Sequence, residues 1–161
     1  MLLKHLTLSA SAVFLTGVLV GFFMDPPTDT WDPDTNVSLR FLEQPKPTLF
    51  WAIAGNNISV AMINLMGGFS LGIVSLLNTF YNGVVLGFAV SVAIIDFPVM
   101  DLLRHLLPHS IEILGIILSC SLGLYLGTFL IKKLIQDSQS EFDYRMFVLR
   151  TALVISILVA A

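Results

Sequence analysis

FWAIAGNNISVAMINLMGGFSLGIVSLLNTFYNGVVLG, residues 50–87, is the stretch on which the reading of the fold turns. Nearly every position in it is apolar or small, yet Asn56, Asn57, Asn64, Asn78 and Asn82 punctuate it. An asparagine amide carries a carbonyl and an NH2 that each need partners, so burying five of them among Leu, Ile, Val and Phe is costly unless they hydrogen-bond. They must therefore find one another, a ligand or trapped water.

The rest of the 161-residue chain explains why these residues stand out. It is 56% hydrophobic and 12% charged, with a mean hydropathy of +0.89, whereas soluble domains carry about a quarter charged residues. This is a membrane protein's composition. Spans of about 20 residues with short connections fit four or five times into such a length, which leaves no room for a separate soluble catalytic domain. The formal net charge of -3 comes without any Lys/Arg cluster, so phosphate neutralisation, and with it nucleic-acid binding, is set aside. The single cysteine, Cys120, lies in an apolar run and reads as a small buried side chain.

Outward from the opening stretch, the predicted elements are helical. Residues 6–24 form an apolar run after Lys4 and His5; the run is too long for a signal h-region and has no small-residue cleavage site, so it reads as an uncleaved first span ending at Pro26-Pro27. Residues 25–47 make an acidic loop. Its Asp25, Asp29, Asp32 and Asp34 are spaced like calcium ligands but lack the glycine turn and distal glutamate of an EF-hand, so a solvated outer loop is expected. Trp31 and Trp51 suit the headgroup level.

Residues 48–66 are the second span, with Asn57 and Asn64 near one face, and Gly67-Gly68 allows a tight turn. Residues 68–95 are the third. Along it Gly68, Gly72, Ser75, Thr79, Gly83 and Gly87 recur every three or four positions, a stripe that lets another helix approach closely. Asn82-Gly83 leaves two readings open, a tilted continuous helix or a break lining a cavity.

Residues 96–107 place Leu102, Leu103, Leu106 and Leu107 opposite Asp101, Arg104 and His105, the pattern of a short interfacial helix. Pro108 then opens a fourth span, residues 109–131. Its stripe of Gly115, Ser119, Gly123 and Gly127 is expected to meet the stripe of the third. A fifth span covers residues 145–161. The overall expectation is an all-α polytopic bundle of about five spans forming one integral membrane domain. Lys4, Lys132, Lys133, Arg145 and Arg150 fall on one side, which the positive-inside rule makes cytoplasmic together with the N-terminus.

Depth counted at about 1.5 Å per residue brings Asn56, Asn57, Asn78, Asn82, His109 and Glu112 into the outer half of the bundle. His109 and Glu112 share a helix face, and an intramembrane carboxylate is by default a functional candidate. Two readings stand side by side: a functional polar pocket, or amides and a His-Glu pair that satisfy one another and only fix helix packing. A metal site needs a third ligand that is not found at this depth, and no nucleophile-base pair, phosphate loop or zinc motif is present. Neither catalysis nor a cofactor is expected.

Asn56-Asn57, Gly67-Gly68-x-x-x-Gly72, Asn82-Gly83-x-x-x-Gly87 and Leu107-Pro108-His109-x-x-Glu112 together resemble the stage II sporulation protein M family, over residues 50–127. Ser110 stands where that family commonly has glycine, and the chain ends at Ala161 before the acidic motif that often closes the last helix, which points to a shortened member or a truncated chain. The resemblance implies a multi-span protein without catalysis of its own, a scaffold for peptidoglycan hydrolases during engulfment. Relatives near bacteriocin export and immunity genes imply instead a permease-like subunit working with a transport ATPase. Membrane lipid, membrane or cell-wall-associated proteins and a second copy of the chain are the partners expected.

Overall fold

The computed structural model describes residues 2–24, 46–96, 98–135 and 141–160; within them, the side chains of residues 46–50, 96, 101, 102 and 105–109 are not described. The acidic loop and Trp31 therefore lie outside the described residues. The described chain is all helical: α1 Leu2–Phe22, α2 Lys46–Met66, a 3-10 turn Gly67–Ser70, α3 Ile73–Asp96, α4 Val99–Ile135 and α5 Tyr144–Ala160. Leu2–Phe22, Ile73–Ile95 and Ser110–Ile135 are each long and apolar enough to cross a membrane. Leu15, Leu19, Leu77, Val85, Leu149 and Leu153 are all exposed on the outside of the bundle. That inversion of the soluble pattern is what a lipid solvent permits, since tails are as apolar as Leu.

Small residues decide how the helices pack. Gly17 of α1 faces the main chain at Phe80, Gly83 and Val84, and Gly21 faces Val84 and Phe88. The contacts advance in the same direction along both helices, so α1 and α3 run parallel and touch backbone to backbone. A Cβ at any of Gly17, Gly21, Gly83 or Gly87 would strike a carbonyl oxygen of the opposing helix.

α2 runs parallel to α4 in the same way. Val60 packs with Ile116, Asn64 bonds Ser119, and Gly68 lies against Gly123 and Leu126. α5 returns antiparallel to α4, with Leu158 over Gly115 and Val154 beside Leu122. Phe142 fastens its start, its ring 4.8–5.4 Å from those of Tyr125, Phe129, Tyr144 and Phe147. Asp143 Oδ1 accepts a hydrogen bond from Met146 N at 2.8 Å, capping the first turn.

Several expectations change. The stripe on the third helix does not pair as a whole with the fourth: Gly83 and Gly87 meet α1, while Gly68 and Gly72 meet Leu126, Gly123 and Leu124 of α4. The turn after α2 is longer than a Gly-Gly bend. Its left-handed residues are Leu71 (φ 58°) and Gly72 (φ 90°), with Leu71 N bonded to Gly68 O and Gly72 N to Gly67 O. Gly67 and Gly68 are needed for room instead, since a Cβ at Gly67 would lie 2.5 Å from Ser75 Oγ.

The short interfacial helix expected over residues 96–107 is not a separate element. α4 runs unbroken for 37 residues from Val99 through Pro108. A proline removes only its own N–H bond and crowds one carbonyl, which a long helix can absorb without ending. α3 is likewise continuous through Asn82-Gly83, and the Asn82 amide turns back along it to donate to Asn78 O at 2.7 Å.

Candidate functional site

The polar side chains gather around Asn64, on the last turn of α2. Its position follows from the turn that α2 enters: the 3-10 segment at Gly67–Ser70 folds α3 back at once, so Ser75, Asn78 and Thr79 pass beside Asn64, while α4 lies across its other side. Asn64 is fully buried. Its Nδ2 donates to Ser119 Oγ at 2.9 Å and to Ile116 O at 3.2 Å. Its Oδ1 accepts from Asn78 Nδ2 at 2.8 Å and from Thr79 Oγ1 at 3.4 Å.

A second layer surrounds this amide. Ser75 Oγ donates to the Asn64 main-chain oxygen at 2.6 Å, and the Cys120 thiol reaches Ser75 O at 3.5 Å. Asn78 Nδ2 also donates to Val60 O at 3.1 Å, and Ser119 Oγ to Ile116 O at 2.8 Å. One amide thus ties together three helices, with both polar ends occupied. Glycine makes the approach possible: a Cβ at Gly123 would overlap Asn64 O and Ser75 Oγ. Gly127 fits under the turn in the same way, where a Cβ would stand 2.7 Å from Gly72 N.

Of the residues expected to converge, Asn78 joins this hub directly and Asn82 only through Asn78 on its own helix. Asn57 lies two turns away from Asn64 on α2. It is buried, and Asn56 Nδ2 approaches its Oδ1 at 3.5 Å, the outer limit of a hydrogen bond. Asn57 Nδ2 has no partner among the described residues. Asn56 is exposed and Glu112 half-buried on α4, seven residues before Ser119. The side chain of His109 lies outside the described residues.

The hub therefore sits near the turn between α2 and α3, whereas Asn57 on α2 and Glu112 on α4 lie about two turns further from that turn.

Two features escaped the sequence reading. Asn64 is the centre rather than one asparagine among five. Its signal was position: it is the asparagine that precedes the Gly-Gly turn by less than one helical turn, where α3 must return against it. The second is Gly17 and Gly21. Phe14-x-x-Gly17-Val18-x-x-Gly21-Phe22 and Phe80-x-x-Gly83-Val84-x-x-Gly87-Phe88 carry one pattern, 66 positions apart, and these two segments are the ones that cross.

Chemically, the Asn64 amide has both of its polar ends occupied by described residues. The hub works as a clamp whose members stabilise a helix arrangement, at roughly 0.6–2 kcal/mol per interhelical hydrogen bond in a membrane. The family model described as stage II sporulation protein M matches residues 10–161, nearly the whole chain. No curated protein and no solved structure matches it.

Proposed function

Because the chain belongs to the stage II sporulation protein M family, we propose that it is a non-enzymatic membrane scaffold that gathers partner proteins into a complex, such as a peptidoglycan-remodelling machinery. The observation that carries this reading is the saturation of the Asn64 hub, in which Asn78, Thr79, Ser119 and Ile116 O occupy both ends of the amide. Such a core holds a shape. It leaves the outer surface, not an internal chamber, as the place where the molecule acts.

The proposed topology has five crossings with the N-terminus in the cytoplasm. The parallel run of α1 and α3 supports a return by α2 between them, since two parallel spans need an intervening crossing. α5 lies antiparallel beside α4, which supports a last crossing in the opposite sense. Lys4, Lys132, Lys133 and Arg145 then share the cytoplasmic end.

Affinity purification of the full chain from its native membrane tests the scaffold. A cell-wall hydrolase or another membrane protein should co-purify in fixed stoichiometry, and recovery of the chain alone argues against the reading. A second reading, a permease-like subunit working with a transport ATPase, draws on one observation: the buried Asn57 Nδ2 without a partner. It loses its basis if Asn57→Ala and Glu112→Gln accumulate normally and leave transport or toxin resistance unchanged.

A further inference from the structure

Between the start of α1 and the facing sides of α4 and α5 lies a groove of about 340 Å³, within the size range of small-molecule sites. Leu3, Leu118, Leu122, Leu153 and Val154 line it, and Ser121 and Arg150 are its polar members. Ser121 Oγ is already engaged with Leu118 O at 2.8 Å. Arg150 is not: the guanidinium has no hydrogen bond or ion pair with any described residue, and it is exposed.

The level of Arg150 makes this notable. Its groove partners Leu118 and Leu122 lie near the middle of Ser110–Ile135, a segment able to cross a membrane. An arginine at such a level must pair or reach for the interface, because hydrocarbon does not solvate a guanidinium. Of the acidic groups described at this end of α5, Asp143 caps the helix and Glu141 lines a separate groove with Lys132, and neither is paired with Arg150.

The geometry points to a binding site for an anionic glycerophospholipid, with one acyl chain in the Leu118–Leu122–Leu153 groove and the phosphate on Arg150. Charge complementarity selects this occupant. The walls are apolar where a chain would lie, and the charged residue among those lining the groove is an arginine, whose forked guanidinium matches phosphate. Basic pockets between membrane helices hold anionic headgroups in the same manner. The basic residues Lys4, Lys132 and Lys133 at the same end of the bundle draw anionic lipid towards that end. The site does not depend on the scaffold reading, since it can be occupied or empty whatever protein the chain gathers.

Native mass spectrometry of the full chain, released from detergent after incubation with phosphatidylglycerol or phosphatidylcholine, tests it. Wild-type protein should retain a phosphatidylglycerol adduct at least tenfold more than phosphatidylcholine. Arg150→Gln should lose that preference, Arg150→Lys should keep part of it, and Arg145→Gln, a cation outside the groove, should keep all of it. Leu153→Phe, at an exposed groove wall, should lower retention with the charge intact, and it decides the matter if Arg150→Gln does not accumulate as a helical protein. Equal retention of the two lipids, undiminished retention by the deciding variant, or a loss in Arg145→Gln as large as in Arg150→Gln would overturn the site.

Discussion

Asn64 holds the centre because its side chain is fully buried, with four polar atoms within reach on two other helices. Its neighbours in the sequence share the residue type but not the circumstance. Asn56 is exposed, and Asn82 bonds mainly within its own helix. Asn64→Ala should therefore lower stability by about 2 kcal/mol, since it removes several interhelical bonds and leaves Asn78 short of an acceptor. Asn56→Ala should change it by less than about 0.5 kcal/mol. Unfolding the purified chain in mixed micelles with increasing dodecyl sulfate measures both, and equal effects would show that the hub carries no special weight. Composition made the presence of satisfied asparagines legible, because buried amides must pair. It did not say which amide would be central, since that depends on the 3-10 turn bringing Ser75 and Asn78 back past α2.

At the level of elements, the crossing of α1 and α3 is set by two pairs of glycines whose missing side chains let the main chains meet. Gly21→Ala would place a methyl group on the Val84 carbonyl. The helices must then part along their whole contact, at a cost of about 1–3 kcal/mol or more. Gly55 on α2 is the internal control, because among the described residues nothing lies within 4 Å of a Cβ there. Gly55→Ala should be neutral or stabilising by up to about 1 kcal/mol through helix propensity alone. The same micellar unfolding assay separates the two, and a destabilised Gly55→Ala with an unaffected Gly21→Ala would reverse the assignment. Here the small-residue stripes were legible as stripes, but their partners were not. Spacing shows that a helix has a narrow face; only the register of Phe14-Gly17-Gly21 against Phe80-Gly83-Gly87 shows which face it meets. The helix over residues 96–107 was misjudged for a related reason, since amphipathic pattern and a proline describe local preference, and α4 continues through both.

For the molecule as a whole, the helix directions constrain the topology more tightly than charge does. The Lys/Arg bias is modest, whereas α1 parallel to α3, α2 parallel to α4, and α5 antiparallel to α4 form one alternating sequence of directions. The repeated Phe-x-x-Gly-Val-x-x-Gly-Phe pattern on α1 and α3 adds an internal symmetry: two helix pairs, α1–α2 and α3–α4, follow each other in the same sense, as in membrane proteins built from parallel repeats. The proposed five-crossing topology has the α2–α3 turn and Lys132-Lys133 on the side of the N-terminus, and the connection from α1 to α2 opposite. Cys120 is buried, so the native chain is silent towards thiol reagents and a single introduced cysteine can be read against it. In intact cells, Asp34→Cys should react with a membrane-impermeant maleimide, whereas Lys4→Cys and Lys133→Cys should react only after the membrane is opened. Labelling of Lys4→Cys and Asp34→Cys from the same side would mean that α1 does not cross. Labelling of Lys4→Cys and Lys133→Cys from opposite sides would break the alternation, because an odd number of crossings would then separate the start of α1 from the end of α4.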